Sequence, residues 1–213
     1  MTIGFALAAA ASIAFAAPDD RATLAPGPVE VWLKAQNVPA DAHAHVLLDG
    51  GPALEADLAA PLVLPKVEAG PHALRAVVVG KDHVSIKGRR TLAVLRFWAG
   101  PRPDDEAEAK AAEAQAWPPA KKPILTLVLP RGRTEREETG ALLDLHVGGG
   151  SLSKAGNKVR VVIDKKEYPL IVEEKPLKLR LKPGTHRITV DLLDKRATKI
   201  SPFNRTDRVF RTE

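Results

Sequence analysis

Six histidines are the residues of this chain best suited to chemistry, and their spacing suggests two kinds of role. His43-Ala44-His45 puts two imidazoles on one side of an extended segment, with Asp49 on the same parity further along. Imidazoles so placed could begin a transition-metal site. The positions 115 residues later are Lys158 and Arg160, however, and a pair replaced by charge reads more simply as a solvated strand face. His72 and His186 each stand two residues after a turn glycine, Gly70 and Gly184. A ring there can bond the turn's main chain, which is a structural task. His83 and His146 have no such company in the sequence.

Other chemistries lack their parts. There is no cysteine, so thiolate nucleophiles, thiolate ligands and disulfides are excluded. Gly148-Gly149-Gly150 lacks the spacing of a phosphate-binding loop, and no Gly-x-Ser-x-Gly occurs. The chain is therefore expected to be no enzyme and to need no cofactor. Asn204-Arg205-Thr206 has the form of a glycosylation sequon.

The net charge is +6, and its position is informative. Residues 29–98 hold eight basic and seven acidic side chains, whereas residues 123–213 hold nineteen and twelve. Lys178, Arg180 and Lys182 alternate on one expected strand, and Lys158 and Arg160 on another. Aligned into one face, these five would bind an anionic envelope polymer or a lipid headgroup. Tyr168 is the single aromatic nearby, too few for stacking on bases, so nucleic acid is not an expected partner.

The elements that must carry these residues occur twice. Asp49 and Pro61 recur 115 residues later as Asp164 and Pro176, while Gly70 and His72 recur 114 later as Gly184 and His186. Around these anchors apolar residues alternate with polar ones, as in Val29, Val31 and Leu33, or Val159, Val161 and Ile163. That period of two, broken by turns every eight to twelve residues, describes half-buried strands of an antiparallel sandwich. Ala99 to Pro123 differs: an Ala/Glu-rich run with Asp105 as N-cap and Glu108 three residues on, flanked by prolines, predicts a helix with no large apolar stripe. At the front, the apolar run to Ala17 followed by Pro18-Asp19-Asp20 reads as a cleaved signal.

The expected fold is thus all-β, two tandem antiparallel sandwiches on a helical joint. Its parts are a signal at 1–16, a flexible lead at 17–28, a first domain at 29–98, a solvent-bridging linker at 99–123 and a basic second domain at 124–213. The repeated pattern, through Asp49/Asp164, Gly70/Gly184, His72/His186 and the strands after them, resembles bacterial immunoglobulin-like and fibronectin-III-like domains of exported proteins. The resemblance implies a non-enzymatic structural or protein-interaction module, periplasmic or at the cell surface, with no membrane span once the signal is removed. Binding of an anionic envelope component is the alternative, and metal binding by His43 and His45 a third.

Overall fold

The computed structural model describes residues 10–132, 142–200 and 203–212. The first 99 residues supply β1 (Ser12–Ala17), β2 (Ala22–Leu24), β3 (Gly27–Gln36), β4 (His43–Leu48), β5 (Leu54–Ala56), β6 (Leu62–Val67), β7 (Gly70–Val79) and β8 (Leu92–Ala99). After helix α1 (Glu106–Ala116) come β9 (Ile124–Leu129), β10 (Leu142–Gly148), β11 (Lys158–Ile163), β12 (Lys166–Glu167), β13 (Leu177–Lys178), β14 (Gly184–Leu193) and β15 (Arg205–Thr212). They form four sheets, ordered β1-β3-β6, β2-β8-β7-β4-β5, β13-β10-β9 and β12-β11-β14-β15. Among the described strands every paired neighbour is antiparallel except β2 with β8. The first nine residues, the front of the expected signal, lie outside the described residues.

Alternation explains how the sheets pair face to face. Val29, Val31 and Leu33 of β3 meet Ala44 and Val46 of β4, Leu74 and Ala76 of β7 and Phe97 of β8 in one buried cluster. Val159, Val161 and Ile163 of β11 meet Leu143 and Leu145 of β10, Ile188 and Val190 of β14 and Phe210 of β15 in another. The sequence repeat maps strand onto strand, β4 to β11, β7 to β14 and β8 to β15.

Two segments expected to lie outside the sheets take part in them. Ser12–Ala17, which spans the end of the expected signal at 1–16 and the first residue of the lead, forms the edge strand β1, paired with β3 from Ser12↔Gln36 to Ala17↔Trp32. Ile13 is buried in the first core with Phe15 packed against it, as Leu125 and Leu127 of β9 are in the second. The stretch read as a flexible lead supplies β2 and opens β3. Asp20 anchors it, accepting from Arg96 N at 2.9 Å and from the Arg96 guanidinium at 2.6 and 3.1 Å. A chain lacking residues 1–16 is therefore expected to be markedly less stable, since loss of the buried Ile13 side chain alone costs about 2–5 kcal/mol. Urea midpoints of the two lengths test this, and equal midpoints would show that β1 contributes nothing.

The joint also differs from expectation. Asp105 caps α1 as its position predicts, accepting from Ala107 N at 2.8 Å and Glu108 N at 3.4 Å. Yet the helix does not bridge solvent: Ala109 is fully buried against Trp98 and Trp117, with Ala112 and Ala116 beside it. Glu113 fixes the arrangement by accepting from Trp98 Nε1 at 3.0 Å and Arg102 Nε at 2.9 Å.

With the connection folded back, the outer face of β7 and β8 meets that of β9 and β10. Val77, Val79, Val128 and Leu129 form a small shared core with Val84, Leu92 and Leu142. Buried polar groups lock this seam. Asp144 accepts from Ser85 N at 2.7 Å, Ser85 Oγ at 2.6 Å and Lys87 Nζ at 2.6 Å. Arg75 donates to Leu125 O and Phe203 O, both at 2.7 Å, and Arg208 reaches Gly51 O at 3.0 Å.

Candidate functional site

The repeated turn residues build one clamp in two copies. Asp49 and Asp164 take left-handed conformations, φ 50° and 49°, which aims each carboxylate across the hairpin at the strand after the turn glycine. Asp49 accepts from Ala73 N at 2.8 Å and from His72 Nδ1 at 2.7 Å, while His72 Nε2 donates to Glu68 O at 2.9 Å. In the second copy Asp164 accepts from Arg187 N at 2.9 Å and His186 Nδ1 at 2.5 Å, and Nε2 donates to Lys182 O at 2.8 Å. Each imidazole lies near a core phenylalanine, Phe97 or Phe210, with ring centres 5.5 and 5.6 Å apart.

Because a carboxylate and a carbonyl only accept, both ring nitrogens must carry protons. The Asp49 hydrogen bond raises the His72 pKa against partial burial. Burial alone would lower that of His186, but the bonds to Asp164 and Lys182 O outweigh it and the net direction is upward. A raised folded pKa contributes stability that is fully present below the unfolded value, about 6.5, and is lost as pH rises through the folded values. Replacing His72 and His186 by glutamine is accordingly expected to destabilise most below pH about 6.5 and progressively less toward alkaline pH. Denaturation midpoints of variant and parent across that range check it; a constant difference would mean neutral rings.

The five basic residues are not brought to one face. Lys158 and Arg160 stand on β11, whereas Lys178 stands on β13 in the opposing sheet with Arg180 and Lys182 following it. Alternation in sequence fixes the side of a strand but not the sheet it joins. Arg160 is moreover ion-paired with the buried Asp191 at 2.9 Å, and Lys158 Nζ donates to Gly156 O at 3.3 Å. Lys178, Arg180 and Lys182 remain exposed.

His43 and His45 are not a solvated strand face. His45 is 0% exposed, because the outer side of β4 continues into the seam: His45 pairs with Val77 and His43 with Val79 of β7. His83, which sequence reasoning left aside, comes back over them from the turn after β7. Its Nδ1 lies 3.0 Å from His43 Nε2 and 3.2 Å from His45 Nε2, and the three facing nitrogens all lie within 4.8 Å of one another. Burial, then the neighbouring rings, lower the His45 pKa to about 2 and that of His43 in the same direction. Arg131 adds to both shifts and Arg208 to that of His45, while Glu55 opposes that of His43.

One further line of groups has the order of a hydrolase relay without its chemistry. Thr91 Oγ1 lies 2.9 Å from His146 Nε2, and His146 Nδ1 lies 3.5 Å from Glu174. Thr91 is fully buried and its hydroxyl donates to Gly88 O at 3.0 Å, so the histidine donates to it rather than taking its proton. Asn204, the sequon residue, has its amide used at both ends, by Leu125 N at 2.6 Å and Pro123 O at 2.9 Å. It holds the start of β9 in place of carrying a glycan.

No family model matches the chain, and no curated protein does. Solved structures that match include fibronectin(III)-like modules of Clostridium thermocellum CbhA, at 12% identity and TM-score 0.33, covering 94% of both chains. A putative membrane anchored protein from Corynebacterium diphtheriae matches at 9% identity and TM-score 0.32, over 94% of this chain and 58% of that one. The Bacteroides ovatus mixed-linkage glucan utilization locus protein SGBP-B, solved with a heptasaccharide, matches at 12% and 0.28, over 95% and 70%. TM-scores this low transfer no role. Among the described residues no helix is long and apolar enough to cross a membrane.

Proposed function

We propose that this chain is a non-catalytic, exported module of the bacterial cell envelope that meets a protein partner through the outer face of the sheet β1-β3-β6. The observation that carries the reading is Trp32 at 41% and Val63 at 53% exposure on a face whose reverse is core. Glu30 pairs with Val63 across the ladder, so Trp32, two residues on in β3, stands diagonal to Val63. Glu30 holds the indole through Nε1 at 2.5 Å. A pre-oriented aromatic with an apolar neighbour and a charged rim is the composition that protein interfaces favour.

The anionic-polymer reading has less support, since Lys158 and Arg160 stand on β11 while Lys178 stands on β13 of the other sheet with Arg180 and Lys182 beyond it, and Arg160 is already neutralised. Co-sedimentation of the full chain with an envelope fraction, at low and high salt, separates the two. Binding that survives high salt and is lost in Trp32→Ala supports the protein partner. Release by salt, together with loss in a variant with Lys178, Arg180 and Lys182 reversed to glutamate, supports the polyanion. An absence of binding at every salt would overturn both.

A further inference from the structure

We propose that His43, His45 and His83 form a three-imidazole site for a divalent first-row transition ion, zinc(II) foremost. Hydrogen bonding does not account for the arrangement of the three rings. His83 Nδ1 faces two Nε2 atoms at 3.0 and 3.2 Å. A neutral ring nitrogen offers one hydrogen or one in-plane lone pair, so it satisfies one such neighbour and not both. Three lone pairs around one ion satisfy all three. Zinc–imidazole bonds of about 2.0–2.1 Å in a tetrahedron set the nitrogens about 3.3–3.4 Å apart, close to the two spacings about His83, 3.0 and 3.2 Å, with all three nitrogens within 4.8 Å of one another.

Burial supports the same reading. His45 Nδ1 is enclosed with no hydrogen-bond partner, which leaves Nε2, aimed into the cluster, as the ring's one polar outlet. His43 and His83 are half-buried and leave a path for the ion and a position for water. Imidazoles without thiolates suit zinc(II), copper(II) or nickel(II) rather than calcium or magnesium, and three protein ligands leave a fourth position open. The charges around the site are Glu55, opposite His45 on β5 and ion-paired with Arg131, and Arg208 across the seam.

Comparison of the two copies supplies an independent observation. His83 has φ 60°, and the residue 114 positions later, Ala197, has φ 61°. The fold therefore requires a left-handed residue at this turn and accepts alanine there. Histidine at this one place, with histidines at 43 and 45 where the second copy has Lys158 and Arg160, is not demanded by the turn or the strand. All three occur together in one copy and none in the other.

The test is zinc(II) titration of the chelator-stripped full chain by calorimetry, beside the variant His83→Ala, which the Ala197 turn shows to be compatible with the fold. One ion per chain is expected, weakened more than about a hundredfold in the variant, because even residues that merely support metal ligands are worth 10–100-fold. Zinc is also expected to raise the melting temperature of the parent and not of the variant. No saturable binding by the parent would overturn the site. So would equal affinity in His83→Ala, which would place the ion on other groups such as His72 or His186.

Discussion

Replacing Asp144 by alanine is expected to lower the stability of the whole chain by about 2 kcal/mol, mostly from the Ser85 donors left without their buried acceptor, since the Lys87 side chain keeps 30% exposure and water can serve its ammonium. Asp144 is 0% exposed and accepts three hydrogen bonds from the opposite side of the seam, two from Ser85 and one from Lys87. Its loss strands the Ser85 amide without an acceptor and leaves the Lys87 ammonium with only Ser85 Oγ and Leu145 O. The seam would then have to admit water to the Ser85 amide or keep a buried donor unsatisfied. Replacing Asp144 by leucine and Lys87 by methionine together is expected to recover much of the loss, because apolar residues of similar volume need no partner. Chemical denaturation of the single and double variants measures both steps. If Asp144→Ala were neutral, the seam would not be a closed interface.

Phe97→Ala and Phe210→Ala are each expected to cost about 3–5 kcal/mol, the range for truncating a buried phenylalanine. Both rings are buried at 1% exposure or less, each in its own core and each near the histidine of a turn clamp. They occupy matching places in the two copies, so their local costs should be similar. The informative quantity is which transition moves. With the seam closed, either substitution should shift one common unfolding transition. With the cores independent, each would shift its own.

The strands and the turn clamps were legible in the sequence because both depend on neighbours. Alternation along Val159, Val161 and Ile163 is local, and Asp164 and His186 announce themselves by recurring with Asp49 and His72. What was not legible depends on pairing between distant residues. His83 reaches His43 and His45 only through the register of β4 on β7, and its one sequence signal is that the repeat has alanine at the corresponding place. The apolar run before Pro18 fits a signal and a strand equally well by composition, and its pairing with β3 depends on residues about twenty positions away. The helix α1 hid its buried side because that side is alanine, Ala109, Ala112 and Ala116, which becomes a contact surface only under Trp98 and Trp117. The cationic face failed for a related reason, since Lys178 and Arg160 belong to strands that never share a sheet.

Asp144, Arg75 and the valines of β7 and β9 join the two buried cores into one body. Scanning calorimetry of the full chain tests this most directly. A single transition whose calorimetric and van't Hoff enthalpies agree, moved as a whole by Asp144→Ala and by either phenylalanine substitution, is the predicted result. Two separate transitions, with Phe97→Ala moving one, Phe210→Ala the other and Asp144→Ala neither, would contradict it.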